Sequence, residues 1–303
     1  LTDEQAAETI RADEIDILID LNGLTQGSRL QILRHRPAPV QATYLGFVGP
    51  VPLPELDYLF CDTTVIPPSI AAAYRPIPLP IAPNYQANDT RRPVPAPATR
   101  AEAGLPKDGF IFCCFSNHYK ITQALFAAWM EILRRTPGSH LWLIADNPWS
   151  RANLHREAVT AAIDPTRLLF AERVDPTAYL ARLAAADLFL DTFPYNAGTI
   201  ASDAIRMGLP LITQSGQSFA SRMATSLLTT IGAPTGITET TDAYIEKAIH
   251  LATTPAAYTA YKAHFSPEIW AKTLGDITQL TTSFEATLER IALRGGKKEA
   301  VLF

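Results

Sequence analysis

DLFLDTFPYNAGTIASDAIRMGLPLIT, residues 187–213, decides the fold. DLFLDT is a short apolar run of strand length. The loop after it ends in Gly198 and a stretch of small residues, a helix is expected from about Thr199 to Met207, and LPLIT is a second strand. Two strands that are apolar nearly throughout, joined by a helix, are what a parallel sheet covered on both faces requires. The same alternation extends upstream: FIFCCF (110–115), a helix from about Thr122 to Arg135, LWLIA (141–145), a helix from about Ser150 to Ile163, LLFAE (168–172), and a helix from about Pro176 to Ala185. This is a doubly wound α/β domain. Downstream, helices are expected from about Ser218 to Thr230, Thr241 to Ala252 and Pro267 to Leu293. In the last, Trp270, Leu274, Ile277, Phe284, Leu288 and Ile291 form one apolar stripe.

The first hundred residues read differently. Thr2 and Gln5 form a capping box that opens a helix, IDILIDL (15–21) is a buried strand ending at Asn22-Gly23, and a helix follows around Ser28 to Arg34. VQATYLGF (40–47) and DYLFCD (57–62) are further strands. From Pro76 to Pro106 the chain is crowded with Pro, Ala, Asn and Thr, which marks a connector rather than a core element. The resulting division is 1–100 for a partial first lobe and linker, 101–266 for a second lobe, and 267–303 for a helix crossing back to the first.

Composition narrows the class. The 303 residues are 47% hydrophobic, enough for two compact cores. With 26 Lys and Arg against 30 Asp and Glu, and no basic block longer than Lys297-Lys298, there is no electrostatic footprint for nucleic acid or an anionic membrane. No apolar run approaches the roughly 18 residues of a membrane span. LTDEQAAETIRADE at the start is acidic where a signal peptide would be basic, so a cytoplasmic location is expected. Three cysteines make no disulfide framework and no CxxC knuckle. The absence of a Met at the first position leads us to expect further residues upstream.

In open parallel sheets ligands lie beyond the carboxyl ends of the strands. There the sequence places Asn117, His118 and Lys120 after the first strand of the second lobe, and Arg173, Val174 and Pro176, then Tyr179 and Arg182, after the third. Pro194 to Asp203 follow the fourth. Gly198 and Thr199 lead into a helix whose unpaired N–H groups suit a phosphate. Lys120 and Arg182 add charge, and Asp203 is placed to accept from a ribose hydroxyl. Each also has a plain structural reading: a solvated Lys120, an Arg182 paired with an acid, an Asp203 that complements the helix dipole, a His118 that caps or packs. GxGxxG after a strand, GxxxxGK[ST], HExxH, GxSxG and Asp-x-Asp are all missing, so a metal-free diphosphate site with no cofactor is the remaining reading.

These residues, with DILIDLNGLTQGSR, RPAPVQATYLGF, DYLFCD, YQAND, GLPKDGFIFCCFSNHYKIT, PGSHLWLIADN and SFASRMATSLL, resemble the bacterial SPINDLY-like relatives of the protein O-linked N-acetylglucosamine transferases, in order and spacing over almost the whole chain. The resemblance implies two Rossmann-like lobes of GT-B type, the first incomplete here. It further implies inverting, metal-independent transfer of a sugar, N-acetylglucosamine first, from a UDP-sugar to Ser or Thr of a protein or peptide acceptor, with tetratricopeptide repeats upstream. By the same resemblance Asn117, Lys120, Val174, Arg182, Gly198, Thr199 and Asp203 bind the donor. Lys120 stabilises the leaving diphosphate, Val174 meets the uracil through its backbone, and the unassigned general base is expected upstream of Leu1. The chain departs from the family pattern at Tyr179 (often His), Pro176 (Lys in animal members), Gly198 (His in animal members) and Ile200 (usually Thr). It departs again in the glycine block Leu45 to Pro50, and it lacks the family's opening strand and His-containing segment. These departures keep open a second class of function, a non-catalytic sugar-nucleotide-binding or scaffolding module, and more weakly a hydrolase or epimerase on the same plan.

Overall fold

The computed structural model describes residues 1–144 and 147–293, so Ala145 and Asp146 of the LWLIADN block and the Lys297-Lys298 pair lie outside the described residues. It divides into two units. The first takes Leu1–Ala87, Gln217–Ala220 and the residues from Asp276 on; the second takes Asn88–Gly216 and Ser221–Gly275. The division therefore falls at Ala87/Asn88, where the sequence reading put it near residue 100.

In the first unit, α1 (Asp3–Ala12) begins at the expected capping box, with the Gln5 N–H donating to Thr2 Oγ1 at 3.2 Å and Gln5 Oε1 accepting from the Thr2 N–H at 3.0 Å. It is followed by β1 (Ile17–Asp20), α2 (Gln31–Arg34), β2 (Val40–Thr43), β3 (Tyr58–Cys61), α3 (Pro68–Ala71) and β4 (Ile77–Pro80). The four strands form one parallel sheet in sequence order. The turn after β1 is fixed by Asp20, whose carboxylate accepts from the N–H groups of Asn22 (3.1 Å) and Gly23 (2.7 Å) and from Thr43 Oγ1 (2.9 Å). β2 stops four residues short of the expected strand: Leu45 takes a positive φ of 65°, and a Cβ on Gly46 would fall 1.7 Å from the Leu21 carbonyl oxygen.

β4 corrects the reading of Pro76 to Pro106 as connector throughout. Among the described residues it pairs only with β3, and the Ile77 and Ile81 N–H groups donate to the Asp57 and Cys61 carbonyls at 3.0 and 2.8 Å. Pro78 and Pro80, alternating with those donors, fall on the open side, where a missing N–H removes no ladder bond.

The second unit comprises β5 (Ile111–Cys114), α4 (Gln123–Arg135), β6 (His140–Ile144), α5 (Pro148–Thr160), β7 (Leu168–Ala171), α6 (Pro176–Leu183), β8 (Leu188–Leu190), α7 (Thr199–Arg206), β9 (Leu211–Gln214), α8 (Met223–Thr230), β10 (Ile237–Thr238), α9 (Thr241–Thr253), α10 (Pro255–Lys262) and α11 (Pro267–Lys272). Its parallel sheet runs β10-β9-β8-β5-β6-β7, the doubly wound order that reverses direction between β5 and β8. Both central strands are buried to within 1% of full enclosure, so their side chains, including Cys113 and Cys114, are core.

The expected helix from Pro267 to Leu293 is two. α11 ends at Lys272, and Gly275 closes the turn, its N–H donating to the Trp270 carbonyl at 2.7 Å. α12 (Ile277–Ala292) then joins the first unit. The stripe splits accordingly. Trp270 and Leu274 are buried in the second unit, while Leu280, Phe284, Leu288 and Ile291 pack on Val40, Tyr58, Phe60 and Leu79 of the first sheet. Phe284 stacks on Phe60 at 4.4 Å between centroids, and Ile277 is 44% exposed. Residues 294–303 of the expected C-terminal helix lie outside the described residues. Among the described residues no helix is long and apolar enough to cross a membrane.

Candidate functional site

The direction reversal between β5 and β8 opens a crevice at their carboxyl ends, and the two loops that leave it meet there. From the β5 loop Lys120 reaches over, and its Nζ donates to the Asn196 carbonyl at 2.8 Å and sits 3.7 Å from the centre of the Tyr195 ring. The β8 loop is built on Asp191. Its fully buried carboxylate accepts from the Thr192 N–H (2.8 Å), the Ala197 N–H (2.7 Å) and Thr213 Oγ1 (2.6 Å). Asn196 is buried beneath the loop and donates to the Thr192 carbonyl at 2.8 Å. Burial pushes the Asp191 carboxyl up to about 7, against those hydrogen bonds and the Lys120 charge, and burial likewise lowers the Lys120 ammonium, against Asp191.

The β8 loop delivers the chain to Gly198 and the start of α7. No side chain caps that helix, as none caps α2, α3, α8 or α10, whereas α1, α4, α5, α6, α9, α11 and α12 are each capped by the residue before the first turn. The leading N–H groups of α7, Thr199 included, are therefore left for solvent or an anion, at the positive end of the dipole.

Beside the crevice is a cavity of about 530 Å³ at the carboxyl ends of β5, β6 and β7. Phe115 and Asn117 enter it from the β5 loop, Val174 from the β7 loop, Tyr179 and Arg182 from α6, and Ile200 and Asp203 from α7. Four of the seven donor-site residues named from sequence, Asn117, Val174, Arg182 and Asp203, thus share one cavity. Lys120, Gly198 and Thr199 are at the same sheet edge but are not in its lining.

Arg182 is the unusual group. It is only 8% exposed, its Nη1 donates to the Glu172 carbonyl at 2.6 Å, and its guanidinium lies 4.7 Å from the Phe115 ring centre. Its Nε has no acceptor, and among the described residues no carboxylate pairs with it. Burial lowers its pKa. Tyr179 Oη is buried without a partner against the same cavity, and burial pushes that phenol well up. A buried cation and a buried hydroxyl that both keep hydrogen-bonding capacity beside a cavity mark a candidate site for a polar ligand. The alternative of an Arg182–acid pair is not what the described residues show.

Asp203, by contrast, is ion-paired. Arg92 Nη1 approaches its Oδ1 at 3.2 Å, and burial raises the Asp203 carboxyl against the opposing effect of Arg92. Sequence reading missed Arg92, which stands 111 positions away in the proline-rich segment and lines the cavity. Only the folded chain brings the two together. His118 packs: its Nε2 meets the Ile144 carbonyl at 2.7 Å.

The sequence profile of glycosyl transferase family 41 matches residues 2–77 and 86–284. The probable UDP-N-acetylglucosamine–peptide N-acetylglucosaminyltransferase SEC of Arabidopsis thaliana is 33% identical over 260 residues, covering 83% of this chain and 26% of that protein. The enzyme of the same description named SPINDLY from Petunia hybrida is 29% identical over 298 residues, covering 95% and 31%. The chain thus spans between a quarter and a third of the length of these curated relatives. Among solved structures, a lysine-to-methionine mutant of Thermobaculum terrenum O-GlcNAc transferase superposes with a TM-score of 0.86 at 29% identity, over 98% of this chain and 56% of that one. Anabaena HepE, solved with UDP and glucose, shares the fold at a TM-score of 0.62 and 14% identity, over 96% of this chain and 83% of that one. The two parallel sheets are the Rossmann-like lobes of the GT-B class, with four strands in the first and six in the second.

Proposed function

This chain belongs to glycosyl transferase family 41, and we propose that its second unit binds a UDP-sugar whose sugar is transferred, with inversion and without a metal ion, to Ser or Thr of a protein. N-acetylglucosamine is the sugar its relatives' names favour. The observation that carries the reading is Arg182, a cation held in a cavity beside the switch point with Nε unsatisfied and no carboxylate beside it among the described residues. In this reading the nucleoside enters the cavity with its base beside Val174 and Arg182 and its ribose toward Asp203. The diphosphate lies across the uncapped start of α7 within reach of Lys120.

The chemistry asked of these groups is electrostatic. As the bond from the anomeric carbon to the UDP oxygen breaks, negative charge grows on the diphosphate. The Lys120 ammonium and the Thr199 helix end offset it from positions fixed in advance by Asp191 and Asn196, so little reorganisation accompanies the step. The acceptor hydroxyl attacks from the opposite face, and its proton passes to a general base. In this reading cations and backbone N–H groups meet the diphosphate.

One feature favours the second reading, a sugar-nucleotide-binding module without transfer: Ile200 puts hydrocarbon in the cavity wall one residue into the helix that would meet the phosphates. Calorimetric titration with UDP, with and without EDTA, tests the site; loss of affinity on chelation overturns its metal independence. Transfer of radiolabelled N-acetylglucosamine from its UDP conjugate to a peptide library, by this chain and by an upstream-extended form, separates the readings. Nucleotide binding with no transfer by either form would favour the binding module.

A further inference from the structure

The segment that opens the second unit has no regular secondary structure, yet it is tied down residue by residue. Asn88 accepts from Ser202 Oγ at 2.7 Å and donates to the Leu274 carbonyl at 2.9 Å. Arg206, 4% exposed and lying 4.4 Å from the Trp270 ring centre, donates to the Asp89 carbonyl at 3.2 Å and to the Arg92 carbonyl. Further on, the Ala98 N–H donates to the Ala181 carbonyl at 3.0 Å. The strap therefore runs from α7 to α6, past the cavity, with its backbone anchored at both ends. Its one side chain in the cavity lining is Arg92. That guanidinium touches both helices, with Nη1 at 3.2 and 3.5 Å from the two Asp203 oxygens and Nη2 at 3.4 Å from the Pro176 carbonyl.

Such an arrangement is more than surface charge pairing. A carboxylate drawn into a half-buried wall tends to take up a proton and to rotate toward whatever cation is nearest. Here the cation is delivered by a backbone that is itself held by a buried arginine. We propose that Arg92 is a positioning residue of the nucleotide site, holding the Asp203 carboxylate ionised and aimed so that it accepts from the ribose diol and selects ribonucleotides. This rests on the UDP reading above. The charged and titratable groups facing Asp203 are Arg92 from the strap, Arg206 from its own helix and Tyr179 from α6. Loss of Arg92 removes the first of the influences that oppose the burial of Asp203.

The experiment is calorimetric titration of the wild-type chain, Arg92→Met and Arg92→Lys with UDP and with 2′,3′-dideoxyuridine diphosphate, from pH 6 to 8. Thermal melts of each variant check folding. Wild type is expected to prefer UDP by about tenfold or more, the worth of a hydrogen bond to a charged acceptor, and the pH profile read is that of this ratio, which should stay flat, since the terminal phosphate that titrates at about 6 is common to both ligands. In Arg92→Met the preference should fall to about twofold and shrink further as the pH is lowered toward 6. Arg92→Lys should recover the flat pH profile. If Arg92→Met instead weakens both nucleotides by one factor and leaves the pH profile flat, Arg92 only braces the strap and the inference is overturned. A folded wild-type chain that binds neither nucleotide overturns the UDP reading, and this inference with it; one that binds both equally overturns the inference alone.

Discussion

Replacing Lys120 with Met keeps the length of the side chain and removes its charge, which makes it a direct probe of where the phosphates sit. The ammonium has one acceptor among the described residues, the Asn196 carbonyl at 2.8 Å, and one ring, Tyr195 at 3.7 Å. Two of its three protons are left for a ligand. Losing the hydrogen bond and the cation–π contact at this half-buried position should cost about 1 to 2 kcal/mol of stability, at the lower end of each contribution because water partly screens the site. Losing a charge-assisted contact to a phosphate oxygen should cost about 1.5 to 3 kcal/mol of binding, roughly 10- to 150-fold in UDP affinity. Uridine, which has no phosphate, should bind the variant within about twofold of wild type. Calorimetry with UDP and uridine on both proteins measures the difference directly. Equal losses for the two ligands would show that Lys120 acts only by bracing the Asp191–Gly198 loop, and no loss for either would place the phosphates elsewhere.

Arg182→Met should leave thermal stability unchanged or slightly higher, because a buried cation without a carboxylate is exchanged for hydrocarbon, while UDP affinity falls at least tenfold in the same titration. Asp191 gives a signed pH effect: its folded carboxyl titrates at about 7 against about 3.9 in an unfolded chain. The folded state therefore holds the extra proton between those values, and stability from this group falls as pH rises from about 4 to about 7 and is flat above. Urea denaturation of Asp191→Asn should show that slope reduced, and an unchanged slope would mean the carboxylate is relieved by something other than protonation. Phe284→Ala should destabilise the first unit by about 2 to 3 kcal/mol, less than for a fully enclosed ring because Phe284 is half-buried, since it removes a ring stacked on Phe60 and tilted against Tyr44, and should leave UDP binding by the second unit intact. Ile200→Thr should tighten UDP by about 0.5 to 1.5 kcal/mol through one added donor; weaker binding would show that Ile200 packs the cavity usefully as it stands.

The second sheet was legible because its strands are buried on both faces, so each appears as an unbroken apolar run whatever its neighbours do. The carboxyl-edge rule then brought Asn117, Val174, Arg182 and Asp203 to one cavity. What escaped was structure specified by position rather than by pattern. β4 carries two prolines, tolerated only because it is an edge strand with those residues turned away from its partner. The stripe from Trp270 to Ile291 keeps helical spacing across a break at Gly275, since each half answers to a different core. Arg92 looked like linker charge because its meaning depends on Asp203, and no local periodicity links residues so far apart. The Asp191 network was equally silent in sequence, where the aspartate reads only as the end of a strand.

The place of α12 in the first unit also sets the order in which the chain can fold as it is synthesised. Leu280, Phe284, Leu288 and Ile291 complete a core whose other residues lie before position 82, and the Ala82 N–H donates to Ser283 Oγ across 201 positions. By the time residue 275 leaves the ribosome, every element of the second sheet and its helices is present. The first sheet, made earlier, still has Phe60 and Tyr44 uncovered. It must wait with that face open until the last turns of α12 emerge, so the half of the molecule translated first is the half that finishes last, and the interval is when it is most open to capture by a chaperone or by another nascent chain.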